Sequence, residues 1–579
     1  MRKLAFAALF ITLGGIGCAP TPTAPEPDTV VISVVGTNDV HGELIPQPFR
    51  GGITTFSAYI AALRDARAND GAVLLVDAGD MWQGTLESNL SEGAAVVGAY
   101  NALGYAAAAI GNHEFDFGPA GPKSIPEAER DEPQGALRQR ASEADFPLLA
   151  ANLIDTSTDE MVIWDNVQAL TMVRRAGIDI GIIGVLTERL LETTIVANTA
   201  GIDVAPIADS VTARARFLRK AGAALVVVVA HAGGRCEIFD DPLDLSSCDL
   251  SGEIMRVANE IPQGLVDHIV AGHVHQGIAH EVNGIAITAS YSNSRAFSRV
   301  DFTLDRTTRR VVDRRIFPPQ ANCRKVPDKN GHCSFEDDST RARATYEGRD
   351  LVPMPEVVAV AENAAAVAAK FQAEPIGVYL ETPMTLHDRP ESALGNLMTD
   401  AVLESSAADI SIHNVYGGIR AELPEGELTY GSLFRMFPFD NRIAIVELSG
   451  AELRKLIANQ AHNTGRYAGF SGMRVFIDCS DAQMSVRMVR SNGSEISDTE
   501  SLKVVANDFL LLGGDGIFTP VIPPRGFDIP YGTPLVRDVL VEWFKTRGGR
   551  MHADEFHNPA SRRWNLPEPM PGACSYSAE

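Results

Sequence analysis

From Thr29 to about residue 305 the chain alternates short, continuously apolar runs with alanine-rich stretches of helical period, and few architectures accept that pattern. TVVISVVG (29–36), AVLLVDAG (72–79), IDIGIIGV (178–185), ALVVVVAH (224–231) and VDHIVAGH (266–273) read as strands. GITTFSAYIAALRDARAN (52–69) and SEGAAVVGAYNALG (91–104) read as helices. A run without polar alternation has no face to offer water, so these strands belong between the layers of an α/β domain. Residues 283–292 and 298–317 break the pattern and are expected as more exposed, antiparallel strands, and the domain (29–345) should close soon after them.

The rest of the chain divides by the same reading. A connector (346–374) carries PEVVAVAENAAAVAAKFQAEP, a helix bounded by prolines. A second domain (375–556) mixes helix and strand, and an irregular tail (557–579) is expected to be held mainly by Cys574. A length of 579 residues suits two domains better than one. Fifty basic against 74 acidic residues give a net charge of -24, which repels polyanions. A nucleic-acid partner, and a nuclease acting on polymeric DNA, are therefore disfavoured.

MRKLAFAALFITLGGIGC (1–18) has the basic start and short apolar stretch of an export signal, and residues 19–28 form a Pro/Thr-rich tether. Gly15-Ile16-Gly17-Cys18 resembles a bacterial lipobox, with glycine where leucine is usual. Cys18 is thus a lipidation candidate and would anchor the protein to a membrane; simple cleavage nearby is the other outcome. In either case the protein is expected in the periplasm or cell envelope. Six further cysteines make an even set for an oxidising compartment. The close pairs Cys236/Cys248 and Cys323/Cys333 are natural staples, leaving Cys479/Cys574 to pin the tail, although six cysteines permit fifteen pairings.

Chemistry gathers where strands end. Thr29–Gly36 runs into Asp39 and His41, and the next strand ends at Asp80. AAAAI leads into Asn112, His113 and Asp116, ALVVVVA into His231, and DHIVAG into His273 and His275. Any one of these histidines would more often be a surface or core residue. Their joint delivery at carboxyl ends of strands, where α/β folds bind ligands, is what points to a site. Nitrogen and oxygen donors without thiolate favour Zn, Mn, Co or Fe in an open, catalytic arrangement.

NDVHG (38–42), DAGD (77–80), GNHEFD (111–116), HAGG (231–234) and GHVH (272–275), with GGIR (417–420), PFDN (438–441) and GGDG (513–516), resemble the 5'-nucleotidase / UDP-sugar hydrolase / cyclic-nucleotide phosphodiesterase family. The resemblance implies a four-layer α-β-β-α metallophosphatase sandwich joined by a helix to an α+β nucleotide-binding domain. It further implies two divalent ions. One would be held by Asp39, His41, Asp80 and His275, the other by Asp80, Asn112, His231 and His273, with Asp80 bridging. His113 and Asp116 match the family's catalytic pair.

In the second domain Phe439 and Phe509 match the rings that sandwich a base, Arg420 a phosphate-binding arginine, Asn441 a base or ribose contact, and Asp515 a group facing ribose hydroxyls. Asn396 is a further pocket candidate. Core packing is the plainer fate for both phenylalanines. Two departures stand out: Tyr416, with one extra residue, enters the approach to GGIR, and Asp440 places a charge beside the base site. The activity implied is phosphate release from nucleoside 5'-monophosphates, by a monomer or dimer. Cyclic-nucleotide phosphodiesterase with 3'-nucleotidase activity, UDP-sugar hydrolysis, and a non-catalytic nucleotide-binding surface protein are the alternatives.

Overall fold

The computed structural model describes residues 28–47, 50–328, 332–333, 340–386, 390–461, 467–530, 533–567 and 574–576. The export signal, most of the tether and the lipidation candidate Cys18 lie outside the described residues. Two large sheets organise the first domain. One runs Val311–Ala321, Ala296–Asp305, Thr29–Thr37, Gly71–Asp77, Ala107–Ala109, Leu148–Leu149, Val167–Gln168. The other runs Gly277–Val282, Ile285–Ser290, His268–Ala271, Leu225–His231, Ile178–Leu186, Leu170–Arg175.

The apolar runs explain the layering. Val30, Ile32 and Val34 alternate with Val35 across Thr29–Thr37, and the first three meet Ile180, Ile182, Val227 and Val229 of the second sheet. Val35 faces outward onto Ile53, Phe56 and Ile60 of the helix Gly52–Ala66. On the far side Val226 and Val228 pack under the helices Ile207–Lys220 and Glu253–Glu260. The central strands of each sheet are dry on both faces, as unalternating strands require, while the edge strands Val311–Ala321 and Leu170–Arg175 are partly exposed. Ile285–Ser290, expected to be more exposed, is buried throughout because it sits inside the second sheet, parallel to His268–Ala271. Ala296–Asp305 is likewise largely buried, pairing antiparallel with Thr29–Thr37.

The helix Pro355–Gln372 is no free spacer. Val357 and Ala361 belong to the first domain's core, and Ala368 packs with Leu86 of the first domain and Phe434 of the second. Beyond it, the sheet Ile443–Ser449, Ser501–Asn507, Ile410–His413, Gly469–Ser471 carries the second domain, with helices Ala393–Glu404 and Gly450–Ala461 against it. The bonds Cys236–Cys248, Cys323–Cys333 and Cys479–Cys574 are all formed. Cys574 does not hold the tail alone: Trp564 is 2% exposed, packs on Phe470, and donates its indole N–H to the Ala468 carbonyl at 2.9 Å. The apolar bulk of one indole anchors the segment independently of the disulfide.

Candidate active site

Strand ends converge at the seam between the two sheets. Donor atoms of Asp39, His41, Asp80 and His275 lie within 4.8 Å of one another, as do those of Asp80, His231 and His273. Asp80 is common to both groups. Asn112 joins the second, its Oδ1 2.9 Å from His231 Nε2 and 3.0 Å from His273 Nδ1. In the first, His41 and His275 bring their Nε2 atoms to 3.0 Å, and His275 Nε2 lies 3.5 Å from Asp39 Oδ1. The structure thus brings together all seven residues named from the sequence as ligands.

The backbone is bent to do so. Asp39, His41, Asp80, His273 and His275 all have positive φ, between 49° and 78°. Left-handed non-glycine residues are uncommon and costly, and their concentration at one point marks a functional site. Neighbouring groups hold the strained turns. Glu114, 0% exposed, accepts the backbone N–H groups of Asp80, Met81 and Gly111. Asp77 accepts from Gly79 N, Thr37 Oγ1 and Tyr100 Oη. Asn38 donates to Asp39 Oδ2 and accepts from Ser290. A side chain at Gly111 would press within 2.2 Å of Asp80 Oδ1, which explains the glycine. None of these braces was singled out from the sequence. The glutamate after GNH and the first aspartate of DAGD were visible, but only burial shows their role.

Titration behaviour agrees with a cation site. Burial pushes His273 down to about 3, and burial with the neighbouring His275 does the same to His41, so both are neutral donors. Burial also opposes charge on His231, yet Asp80 outweighs it and holds the imidazolium up to about 10. Two buried carboxylates call for positive charge there, and deprotonated imidazole and carboxylate are what divalent ions require. His231 Nδ1 faces the Ala78 carbonyl at 2.9 Å and His41 Nδ1 the Gln83 carbonyl at 2.8 Å, which turns each Nε2 toward the donor cluster, where a bound cation would take the place of the His231 proton. The donor set therefore fits divalent metal ions.

His113 lies beside this centre, with Nδ1 2.6 Å from Asp116 Oδ2, and Thr194 Oγ1 donates to the other Asp116 oxygen. Burial lowers the His113 pKa, but Asp116 and Asp80 outweigh it and hold the imidazole above its ordinary value. The second domain approaches from across the cleft. Arg420 Nη2 is 3.1 Å from His113 Nε2, and the Phe439 ring stacks on the imidazole at 5.7 Å. Phe509, Asn441 and Asp515 line the same cavity of about 850 Å³. A side chain at Gly514 would collide with the Phe509 ring at 2.4 Å, so the GGDG loop floors that ring.

One expectation changes and two gain detail. Asn396 is absent from this cavity, because its amide is buried and donates to the Phe556 carbonyl. Asp440 is not a free charge beside the slot, since it pairs with Arg537. The insertion at Tyr416 folds into a short helix, Val415–Gly418, and Tyr416 lines the cavity. The structure adds Asn414, whose amide donates to Asp515 Oδ2 at 2.6 Å.

Residues 32–277 match the family model of the calcineurin-like phosphoesterases, which act with bound metal, and residues 369–521 match that of the 5'-nucleotidase C-terminal domain. The chain belongs to the metal-dependent phosphoester hydrolases that join these two domains. A cell wall protein of Listeria monocytogenes is 27% identical over 531 residues, covering 84% of this chain and 64% of that protein. A 5'-nucleotidase of Vibrio cholerae is 24% identical over 541 residues, covering 89% of this chain and 91% of that one. The crystal structure of a 5'-nucleotidase precursor from Thermus thermophilus shares the fold, with a TM-score of 0.65, 22% identity, and coverage of 90% and 97%.

Proposed function

We propose that the protein releases phosphate from nucleoside 5'-monophosphates, outside the cytoplasm, with two divalent ions held by Asp39, His41, Asp80, Asn112, His231, His273 and His275. The observation that carries this reading is the single cleft in which Arg420 and Phe439 of one domain meet His113 of the other. When bound, the metals supply Lewis-acid stabilisation of phosphate charge and an activated water. Protonated His113 donates from Nε2 to a phosphate oxygen while Asp116 fixes the ring through Nδ1. Arg420 reaches the same point, and two donors 3.1 Å apart are relieved by an anionic oxygen between them. Phe439 and Phe509 offer faces to a base, a mode of recognition indifferent to base identity.

Three disulfides support export, since such bonds persist in oxidising compartments. Among the described residues no helix is long and apolar enough to cross a membrane. Zn, Mn and Co are the metals proposed. The test is phosphate release from AMP, 3'-AMP, 2',3'-cyclic AMP and UDP-glucose by protein stripped with chelator and reloaded with each metal. Highest kcat/KM on AMP supports the reading. Preference for 3'-AMP and the cyclic diester, or for UDP-glucose, replaces it, and no turnover with any metal refutes it.

A further inference from the structure

The loop that carries Phe439 is fastened on three sides, and one fastening is peculiar in its chemistry. Three consecutive carbonyls each have a separate partner. Pro438 O accepts from Gln83 and Asn89 of the first domain, at 3.1 and 3.3 Å, and Asp440 O accepts from Ser124, also of the first domain. Phe439 O instead accepts from Arg537 Nη1 at 3.1 Å, within its own domain. The other arm of that guanidinium binds the Asp440 carboxylate.

Arg537 is 6% exposed, in the first turn of the helix Val536–Arg547, with its guanidinium 4.7 Å from the Phe434 ring centre. A buried arginine with no catalytic contact is costly unless its donors are matched, and here Nη1 and Nη2 are matched by the backbone and side chain of the base-stacking turn, while the buried Nε has no hydrogen-bond partner. The remainder of the loop is tied to the same helix start without it: Val536 N donates to Asn441 O at 2.8 Å, and Ile443 N to Pro534 O at 3.0 Å. Removing the guanidinium would therefore release the Phe439 carbonyl and the Asp440 carboxylate, and leave the Ser124 contact to Asp440 O and the strand that follows in place. Phe439 is the ring that touches His113 at 5.7 Å and lies 5.1 Å beneath Arg420.

We propose that Arg537 is a positioning residue for nucleotide recognition, a buried clamp that uses Phe439 O and Asp440 to hold the Phe439 ring in its stacking pose. The proposal rests on the nucleotide reading above. It gives Asp440 a structural purpose: the charge belongs to the clamp and not to the base.

The test compares the metal-loaded wild type with Arg537→Met, Arg537→Lys and Asp440→Asn, using AMP and ribose 5-phosphate, which has no base to stack. For Arg537→Met the KM for AMP should rise about tenfold, the loss expected of one stacking contact, with kcat changed less than about twofold. The ratio of kcat/KM on AMP to that on ribose 5-phosphate should fall by the same factor. Arg537→Lys should recover part of the loss, because one ammonium can satisfy the carboxylate but not both acceptors in plane. Asp440→Asn should shift the ratio in the same direction by a smaller factor, and it serves alone if Arg537→Met does not fold. An unchanged ratio in folded variants, or an equal fall on both substrates, overturns the proposal. A wild type that does not prefer AMP over ribose 5-phosphate refutes the nucleotide reading instead, which separates the two failures.

Discussion

On one wall of the cleft Asp39 and Asp80 are 0% and 1% exposed, held by left-handed backbone and by buried partners such as Glu114. On the facing wall Phe439, on a loop, and Phe509, on the short helix Asp508–Leu511, are half-buried rings touching other rings and a glycine. The first wall concentrates charge in a dry place, where geometry must be met within fractions of an ångström. The second presents flat apolar surface whose value grows gradually with contact area. Loss of a residue should therefore be nearly all-or-none on the metal wall and graded on the aromatic wall.

The sharpest way to break that contrast is Asp80→Ala. Asp80 serves both clusters and also accepts the His113 backbone N–H at 2.9 Å. Bound metal, read by elemental analysis, should fall, and kcat/KM should drop by about 10³-fold or more, since metal-ion stabilisation is worth several kcal/mol. A variant that kept its bound metal and a tenth of the activity would refute the role proposed for Asp80.

Next is His113→Ala, which should retain metal yet lose about 10²–10⁴-fold in kcat, the range of one proton donor. The pH dependence carries a sign. Because Asp116 and Asp80 outweigh burial and raise the His113 pKa, the protonated donor is present below that pKa and is lost as pH rises through it. Asp116→Asn should therefore move the alkaline limb of kcat toward lower pH. A limb that stayed in place would assign it to another group.

On the aromatic wall the changes should be milder. Phe509→Ala should raise KM for AMP by about 5- to 100-fold, the range of base–aromatic stacking, and affect ribose 5-phosphate much less. Equal losses on both substrates would show the ring supporting the cleft and not a base.

The same contrast accounts for what the sequence disclosed. The fold class was legible because strands buried on both faces must be apolar throughout, as Ile180, Ile182, Val227 and Val229 are. The metal wall was legible because its ligands are few residue types set at strand ends, and Asp39, His41 and Asp80 stand only a few residues beyond such runs. What escaped was third-party support. Nothing local marks Glu114 as an acceptor for three amides, and nothing near Asp440 announces an arginine 97 residues away. Asn396 failed for the converse reason: a polar residue at a helix start looks available until its amide is found buried against Phe556. Ile285–Ser290 was misjudged because its neighbours across the sheet, not its own composition, decide its exposure.

The smallest effect lies behind the aromatic wall, at Asp508. It is 4% exposed, and burial raises its pKa from the ordinary 3.8 to about 6. Its Oδ1 accepts from Asn441 Nδ2, Arg442 N and Phe509 N, so it secures the start of the turn that bears Phe509. A raised carboxyl binds its proton more tightly in the folded protein than in the unfolded chain. Stability should then fall as pH rises from about 4 to about 6, by about 1–3 kcal/mol at most, and stay at the lower level above. Asparagine keeps an oxygen for all three donors and removes the charge. Asp508→Asn should flatten this part of the stability profile in chemical denaturation of the metal-free protein, and gain up to about 1–2 kcal/mol at pH 7. KM for AMP should change less than about twofold, because the Oδ1 contacts to the turn persist. An unaltered profile would remove Asp508 as the source of the slope. A large rise in KM would mean that Phe509 depends on the buried Asp508 carboxylate as Phe439 is proposed to depend on Arg537, and losses on the aromatic wall would no longer be graded by contact area alone.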